Sequence, residues 1–153
     1  MIVVADTSAL FAAFDDSQAD HHTARSVMLN EHLLISALVL TELDHLARRD
    51  LGFGATVSIM DALAARMDTG QYRLATLHLA DLQEAQRVRA AYPSLELDLA
   101  DAINVVLAER HETDLLLTLD QRDFRAVQPL TPRFASFRLL PADATSTVGS
   151  GHR

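Results

Sequence analysis

The sequence predicts an α/β domain in which a mostly parallel sheet is sandwiched between helices. Three observations carry this. Short apolar runs of strand length occur at Ile2–Ala5, Leu33–Ile35 and Asp114–Thr118. Longer segments with apolar residues at helical spacing lie between them, and strand–helix alternation of this kind is the pattern of α/β folds. The chain has 153 residues, 49% of them hydrophobic and 22% charged, which suits one domain with one sizeable core.

Taken in order, Ile2–Ala5 is enriched in β-branched residues and reads as a buried strand ending at Asp6. Thr7–Phe14 places Leu10, Phe11 and Phe14 at helical spacing, and after a polar loop a second helix is expected over Asp20–Glu31. Leu33–Ile35 is a second strand, and Ser36 can cap a helix over Ala37–Arg49. Gly52 and Gly54 both break that pattern, and a further helix is expected from about Ala55 to Met67, ended by Gly70. Tyr72–Leu77 reads as a strand and Leu79–Ala91 as a helix closed by Pro93. Asp98–Arg110 is a helix with an apolar face, Asp114–Thr118 a buried strand and Asp120–Phe124 a short helical turn. Phe137–Leu140 is a last edge strand. The remainder, 142–153, is small, polar and Gly/Ser-rich, so a disordered tail is expected after a domain spanning 1–141.

Composition removes several function classes. There is no cysteine, which excludes disulfide scaffolds, thiolate zinc sites and cysteine nucleophiles and fits a reducing compartment. The start, MIVVADTSAL, lacks the basic and long apolar regions of a signal peptide, and no stretch approaches a membrane span of about 20 apolar residues, so the cytoplasm is the expected location. The formal net charge of −8 argues against a general nucleic-acid coat protein. It leaves room for an enzyme that meets nucleic acid through metal ions and a few arginines. All 13 basic residues are Arg, so no mechanism that needs a lysine is open to this chain.

Four acids, Asp6, Glu42, Asp101 and Asp120, stand at the edges of apolar segments. In open α/β sheets ligands bind outside the carboxyl ends of the strands, where Asp6 and Asp120 belong. Each acid also has a structural reading. Asp6 and Asp120 can cap the helical segments they precede, and Asp98 can cap the helix in whose first turn Asp101 lies. Glu42 lies mid-helix, where no cap is needed. At about 100° per residue it falls between Leu38 and Leu46, inside the stripe also formed by Val39 and Leu43, and Glu is rarely buried without a partner. Asp101 likewise starts the stripe that continues through Val105 and Ala108, and Asp98 can share that side. Carboxylates without His or Cys suit Mg²⁺ or Mn²⁺. Such an ion offsets their mutual repulsion, lowers the pKa of bound water and stabilises charge on a phosphate, the requirements of phosphodiester hydrolysis.

The segments VVADTSAL, ISALVLTEL, DLADAINVVLA and LLLTLDQRDF, in this order and spacing, resemble the PIN-domain ribonucleases, and specifically the VapC-type toxins of bacterial type II toxin–antitoxin pairs. The resemblance covers about residues 1–140. It implies a three-layer sandwich with a mostly parallel sheet of four to five strands. It implies a Mg²⁺ (or Mn²⁺) site made by Asp6, Glu42, Asp101 and Asp120, with Thr7, Ser8 and Thr118 as supporting polar residues and Asp123, the second acid of the last motif, as a residue that supports the ligands or holds a second metal; Asp98 is not a constant ligand of that family and is a candidate by its place beside Asp101 alone. It also implies an endoribonuclease that cuts a structured RNA (a tRNA or an rRNA loop) through metal-activated water, a cognate antitoxin that inhibits it, and a homodimer. The helix pair at about Ala37–Met67 looks like the dimer and antitoxin surface of that family.

Arg122 and Arg125 flank the last acidic motif and can contact RNA phosphates; surface solubility is the plain alternative. His21–His22 lacks a third ligand at useful spacing and reads as a solvated helix start. Two other function classes remain for comparison. A non-cleaving PIN-like module would bind RNA or protein, which a cleavage assay with Mg²⁺ and with EDTA separates from an enzyme. A phosphotransfer protein phosphorylated on Asp6 would need the lysine that this chain lacks.

Overall fold

The computed structural model describes residues 1–144. Five strands, β1 (Val3–Ala5), β2 (Leu33–Ile35), β3 (Tyr72–Leu74), β4 (Leu115–Leu117) and β5 (Arg138–Leu140), form one sheet in the order β3-β2-β1-β4-β5. Every neighbouring pair is parallel, with Val4 opposite Leu34 on one side and Leu116 on the other. Helices α1 (Thr7–Phe14) and α2 (His21–Asn30) connect β1 to β2, and α3 (Ala37–Leu51) and α4 (Phe53–Asp68) connect β2 to β3. Helices α5 (Leu79–Ala91) and α6 (Leu99–Arg110) lead to β4, and α7 (Gln121–Ala126) leads to β5.

The three central strands, β2, β1 and β4, are short and apolar because both of their faces are covered, whereas the edge strands β3 and β5 carry the exposed Arg73 and Arg138. Alternation sorts them. Val3, Ala5, Leu33, Ile35 and Leu117 join one core with residues of α1–α4, whereas Val4, Leu34, Leu116 and Leu139 join a second core with α5–α7. These are the three layers that the sequence resemblance implied, with five strands. The chain leaves β1 toward β2 and β3, then crosses to β4 and β5 on the other side. Strand order therefore reverses between β1 and β4, and the crevice outside their carboxyl ends is the place where such sheets bind ligands.

Most expected elements form, with local shifts. Ser36 caps α3, its Oγ accepting from Val39 N at 3.2 Å. Gly52 ends α3 at φ 90° and ψ 169°, but Gly54 does not break the chain: α4 starts at Phe53 and runs through it. Glycine is tolerated in a helix at a modest cost, and Thr56 ties this first turn to Gly52 O through its backbone N at 3.1 Å and its Oγ1 at 2.8 Å. Gly70, at φ 83°, follows α4 as expected. The strand expected over Tyr72–Leu77 stops at Leu74, since only Ala75 N continues the pairing, donating to Ile35 O. Pro93 opens a 3₁₀ turn, Pro93–Leu95, instead of closing the preceding helix directly. Asp98 stands just outside α6 as its cap. Asp114 is outside β4 and holds Arg138 through both carboxyl oxygens, at 3.0 and 3.2 Å.

The tail boundary expected at residue 142 falls within a turn. Asp143 accepts from Leu139 N at 2.9 Å and from both terminal nitrogens of Arg125. The rest of the expected tail, 145–153, lies outside the described residues.

Candidate active site

The carboxyl edge of the sheet gathers the acids from four separate places in the chain. Asp6 follows β1 and is buried at 6% exposure. It stands at the N-cap position of α1 yet makes no capping hydrogen bond, so the capping explanation for Asp6 is not what the structure uses. Its Oδ2 instead accepts from Ser8 Oγ at 2.9 Å and from Thr118 Oγ1 at 2.8 Å. Both hydroxyls have a second partner. Ser8 Oγ accepts from Leu119 N and Thr118 Oγ1 from Asp120 N, each at 3.0 Å. Two hydroxyl groups thereby join the end of β1 to the turn after β4, fixing Asp6 relative to Asp120.

Glu42 reaches the same crevice from α3. It is half-buried at the border of the stripe centred on Val39, Leu43 and Ala47, and its Oε2 accepts from Thr7 Oγ1 at 3.0 Å. Asp101 comes from the first turn of α6, which Asp98 caps by accepting from Asp101 N at 2.8 Å. Asp120 caps α7 by accepting from Asp123 N at 3.0 Å. For Asp98 and Asp120 the capping reading holds, and it does not compete with a site role, because the caps are what aim these helix starts at the crevice. Carboxyl oxygens of Asp101, Asp120 and Asp123 all lie within 4.8 Å of one another. Asp6 and Glu42 are outside that trio, yet both act on the Asp101 carboxyl through their charge, so Asp123, expected as an outlying member, joins the cluster without displacing them.

The electrostatics show how tightly the group converges. The Asp101 carboxyl is pushed up to about 9, first by burial and then by the charges of Asp6, Asp98, Asp120 and Glu42. Burial also raises Asp6, against the lowering effect of the Thr118 and Ser8 hydrogen bonds. Glu42 is raised by burial, with the Thr7 hydroxyl opposing and Asp98 and Asp6 adding to it. Asp123 is raised by burial and then by Asp120. Acids that would be fully charged in water cannot all stay so here unless a cation joins them. All the donors are carboxylate and hydroxyl oxygens, a set that fits a hard divalent ion.

The two arginines of the last motif differ. Arg125 is committed to Asp143, at 2.7 and 3.1 Å, and to Gln121, so it is not available to a phosphate in this arrangement. Arg122 is exposed and lies close enough to lower the Asp123 carboxyl. His21 and His22 start α2, as expected, and meet edge to face, but only His22 is exposed: His21 is half-buried and its Nδ1 meets Ala12 O at 2.8 Å. Two features escaped the sequence. Asn104, on the buried side of α6, reaches Ala5 O at 3.5 Å just before Asp6, and its Oδ1 has no partner among the described residues. A cavity beside Thr118 is lined by Asp20, outside the motifs, and by Gln121, which lies within LLLTLDQRDF with no role expected of it there.

Comparisons with known proteins bear on the fold and the family. A PIN-domain family model matches residues 3–129. Ribonuclease VapC26 of Mycobacterium tuberculosis (strain ATCC 25618 / H37Rv) is 35% identical over 130 residues, 84% of this chain and 93% of that protein. Among solved structures, the Mycobacterium tuberculosis toxin VapC20, described as cleaving the sarcin–ricin loop, superposes with a TM-score of 0.69 at 22% identity, covering 80% of this chain and 92% of that one. VapBC2 from Rickettsia felis, bound to a fragment of its promoter DNA, gives 0.64 at 14% identity, covering 91% and 98%. A Klebsiella pneumoniae toxin–antitoxin complex gives 0.58 at 18% identity, covering 87% and 98%. The structural likenesses concern the fold. With its family model spanning most of the chain and a curated relative alike over nearly its whole length, this protein belongs to the PIN-domain family.

Proposed function

We propose that this chain is a Mg²⁺- or Mn²⁺-dependent endoribonuclease and the toxin of a toxin–antitoxin pair, cutting a structured RNA such as a tRNA or rRNA loop. The observation that carries the reading is the convergence of Asp101, Asp120 and Asp123, whose carboxyl oxygens lie within 4.8 Å of one another at the carboxyl edge of the sheet. A divalent cation offsets the repulsion of acids gathered this closely. The curated ribonuclease relative supplies the reaction class.

In this reading Asp101, Asp120 and Asp123 hold the ion, with Asp6 and Glu42 facing it from β1 and α3. When bound, a divalent ion supplies an activated water and offsets charge on the scissile phosphate. The chain's own part is positional. Ser8 and Thr118 hold the Asp6 carboxylate, Thr7 holds Glu42, and the Asp98 and Asp120 caps fix the two helix starts. Contact with a neighbouring phosphate is assigned to Arg122, because it is exposed beside Asp123 while Arg125 is held by Asp143.

The antitoxin and the homodimer partner are assigned to the α3–α4 face. There Phe53 and Val57 are exposed, with the Arg48 guanidinium 5.6 Å from the Phe53 ring. No helix among the described residues is long and apolar enough to cross a membrane, and the chain is assigned to the cytoplasm.

The test is cleavage of labelled cellular RNA by purified protein in Mg²⁺, in Mn²⁺ and in excess EDTA, with Asp6→Ala and Asp101→Ala beside the wild type. Metal-dependent cutting that both variants lose is expected. Full activity in either folded variant sinks the assignment. Mapping new 5′ ends after induction in cells then identifies the RNA.

A further inference from the structure

We infer that the cavity beside the acidic site receives one unpaired RNA base, and that Asp20 and Gln121 select guanine there. The inference rests on the ribonuclease reading and names the base neighbouring the cut. The cavity, about 210 Å³, opens where the start of α2, the end of β4, α7 and the turn after β5 meet. Asp20, Thr23, Thr118, Leu119, Gln121 and Pro141 line it. Thr118 is the shared wall: the residue whose hydroxyl donates to Asp6 also faces the cavity, so an occupant lies alongside the acids. Pockets for drug-sized ligands run to about 300–1,000 Å³, so this one has room for a single ring system and not for a stretch of chain.

Its chemistry suits a base and not a phosphate. Leu119 and Pro141 offer apolar surface for a planar ring. The Asp20 carboxylate caps nothing and accepts no hydrogen bond from any described residue; only its backbone carbonyl is used, by Ala24 N and Thr23 Oγ1. A free carboxylate repels phosphate and accepts N–H donors. Gln121 is oriented by its neighbour. Arg125 donates to its Oε1 at 3.1 and 3.3 Å and is itself clamped by Asp143. An arginine can only donate, so the amide oxygen must face it and Nε2 is the end left to donate elsewhere. The lining therefore presents one anionic acceptor and one fixed neutral donor.

Single-stranded RNA bases are read on such exposed edges. Guanine carries two adjacent donors, N1–H and N2–H, which one carboxylate accepts together, and beside them O6, which accepts from an amide. Adenine and cytosine place a single donor group on that edge. Uracil has one N–H between two acceptors.

The experiment uses short single-stranded RNAs that differ at one position, carrying guanine, inosine, adenine, cytosine or uracil. Cleavage is followed by end label in Mg²⁺ and binding by fluorescence anisotropy in Ca²⁺. Guanine RNA is expected to be bound and cut roughly tenfold better than the rest, the scale of one bidentate base contact. Inosine, lacking the N2 amine, falls between. Asp20→Ala, Asp20→Asn and Gln121→Glu, which keeps the acceptor for Arg125, should each bring guanine RNA down toward the other bases. A guanine preference that survives Asp20→Ala, or no preference in the wild type, overturns the inference while leaving RNA cleavage standing. Guanine-dependent binding that Asp20→Ala removes, with no cleavage of these RNAs or of labelled total cellular RNA in Mg²⁺ or Mn²⁺, supports the base site and overturns the ribonuclease reading instead.

Discussion

Asp6 sits deep at the end of β1 and depends on two hydroxyls, Ser8 and Thr118, that donate to the same carboxyl oxygen. Replacing Thr118 with Val keeps the shape but removes the donor to Asp6 and the acceptor for Asp120 N. An unmade buried hydrogen bond costs about 1–3 kcal/mol, and each kcal/mol moves the melting temperature of a domain of this size by about 2–4 °C. Thr118→Val is therefore expected to melt several degrees lower and to cleave RNA more slowly, which thermal unfolding and a cleavage assay measure together. Asp101 behaves in the opposite sense. Its neighbours drive it toward the neutral form, so Asp101→Asn should abolish metal-dependent cleavage yet melt higher than the wild type in EDTA near neutral pH. A lower melting temperature for that variant in EDTA would contradict the crowding of the acids.

At the scale of elements, two glycines two residues apart do different work. Gly52 lies at φ 90° and ψ 169°, a region close to glycine-only, while Gly54 lies inside α4. An added Cβ meets nothing within 4 Å at either position, so each substitution reports backbone preference alone. Gly52→Ala should cost about 1–3 kcal/mol. Gly54→Ala should gain about 0.5–1 kcal/mol, the helix advantage of alanine. Chemical denaturation of the two variants gives opposite shifts if α4 begins at Phe53, and shifts of the same sign if Gly54 also ends a helix. The helix starts at Ser36, Asp98 and Asp120 show the complementary rule: each cap is a local hydrogen bond over three residues, and each also sets where an acid-bearing helix points.

For the molecule as a whole, the convergence of acids couples folding to protons and, on the proposed reading, to metal. The folded pKa of Asp101 is raised from 3.8 to about 9, and Asp6 and Glu42 shift in the same direction. The folded state thus holds protons that the unfolded state has released. Their stabilising contribution is complete below the unfolded pKa and is lost as pH rises through the folded one. In EDTA the protein is expected to lose stability steadily from about pH 4 toward about pH 9. Saturating Mg²⁺ should flatten that slope, because the ion replaces the protons and binds only the folded arrangement. Melting temperatures across pH with and without Mg²⁺ test this, and parallel profiles would count against a metal site. The placement of the site follows from topology: strand order reverses between β1 and β4, so no helix crosses the crevice where Asp6 and Asp120 emerge.

Much of this was legible in the chain itself. Strand length, helical spacing and the Ser36 cap depend on residues a few positions apart, so the alternation of elements and the α/β class could be read directly. The four ordered motifs were also enough to identify the family. Glu42 betrayed itself by standing in an apolar stripe without a cap to make. What sequence could not decide was anything that depends on distant parts of the chain meeting. The Asp6–Thr118 hydrogen bond joins residues 112 apart, and with the missing cap on α1 it shows that Asp6 serves the crevice and not α1. Whether Asp123 or Glu42 lies beside Asp101 depends on how α7 and α3 dock on the sheet. Arg125 looked free until β5 brought Asp143 against it. Asp20 and Gln121 carried no signal, because neither means anything until the sheet places them across one cavity. Local periodicity is written in neighbouring residues. The site is written in contacts between distant ones, and only packing makes those.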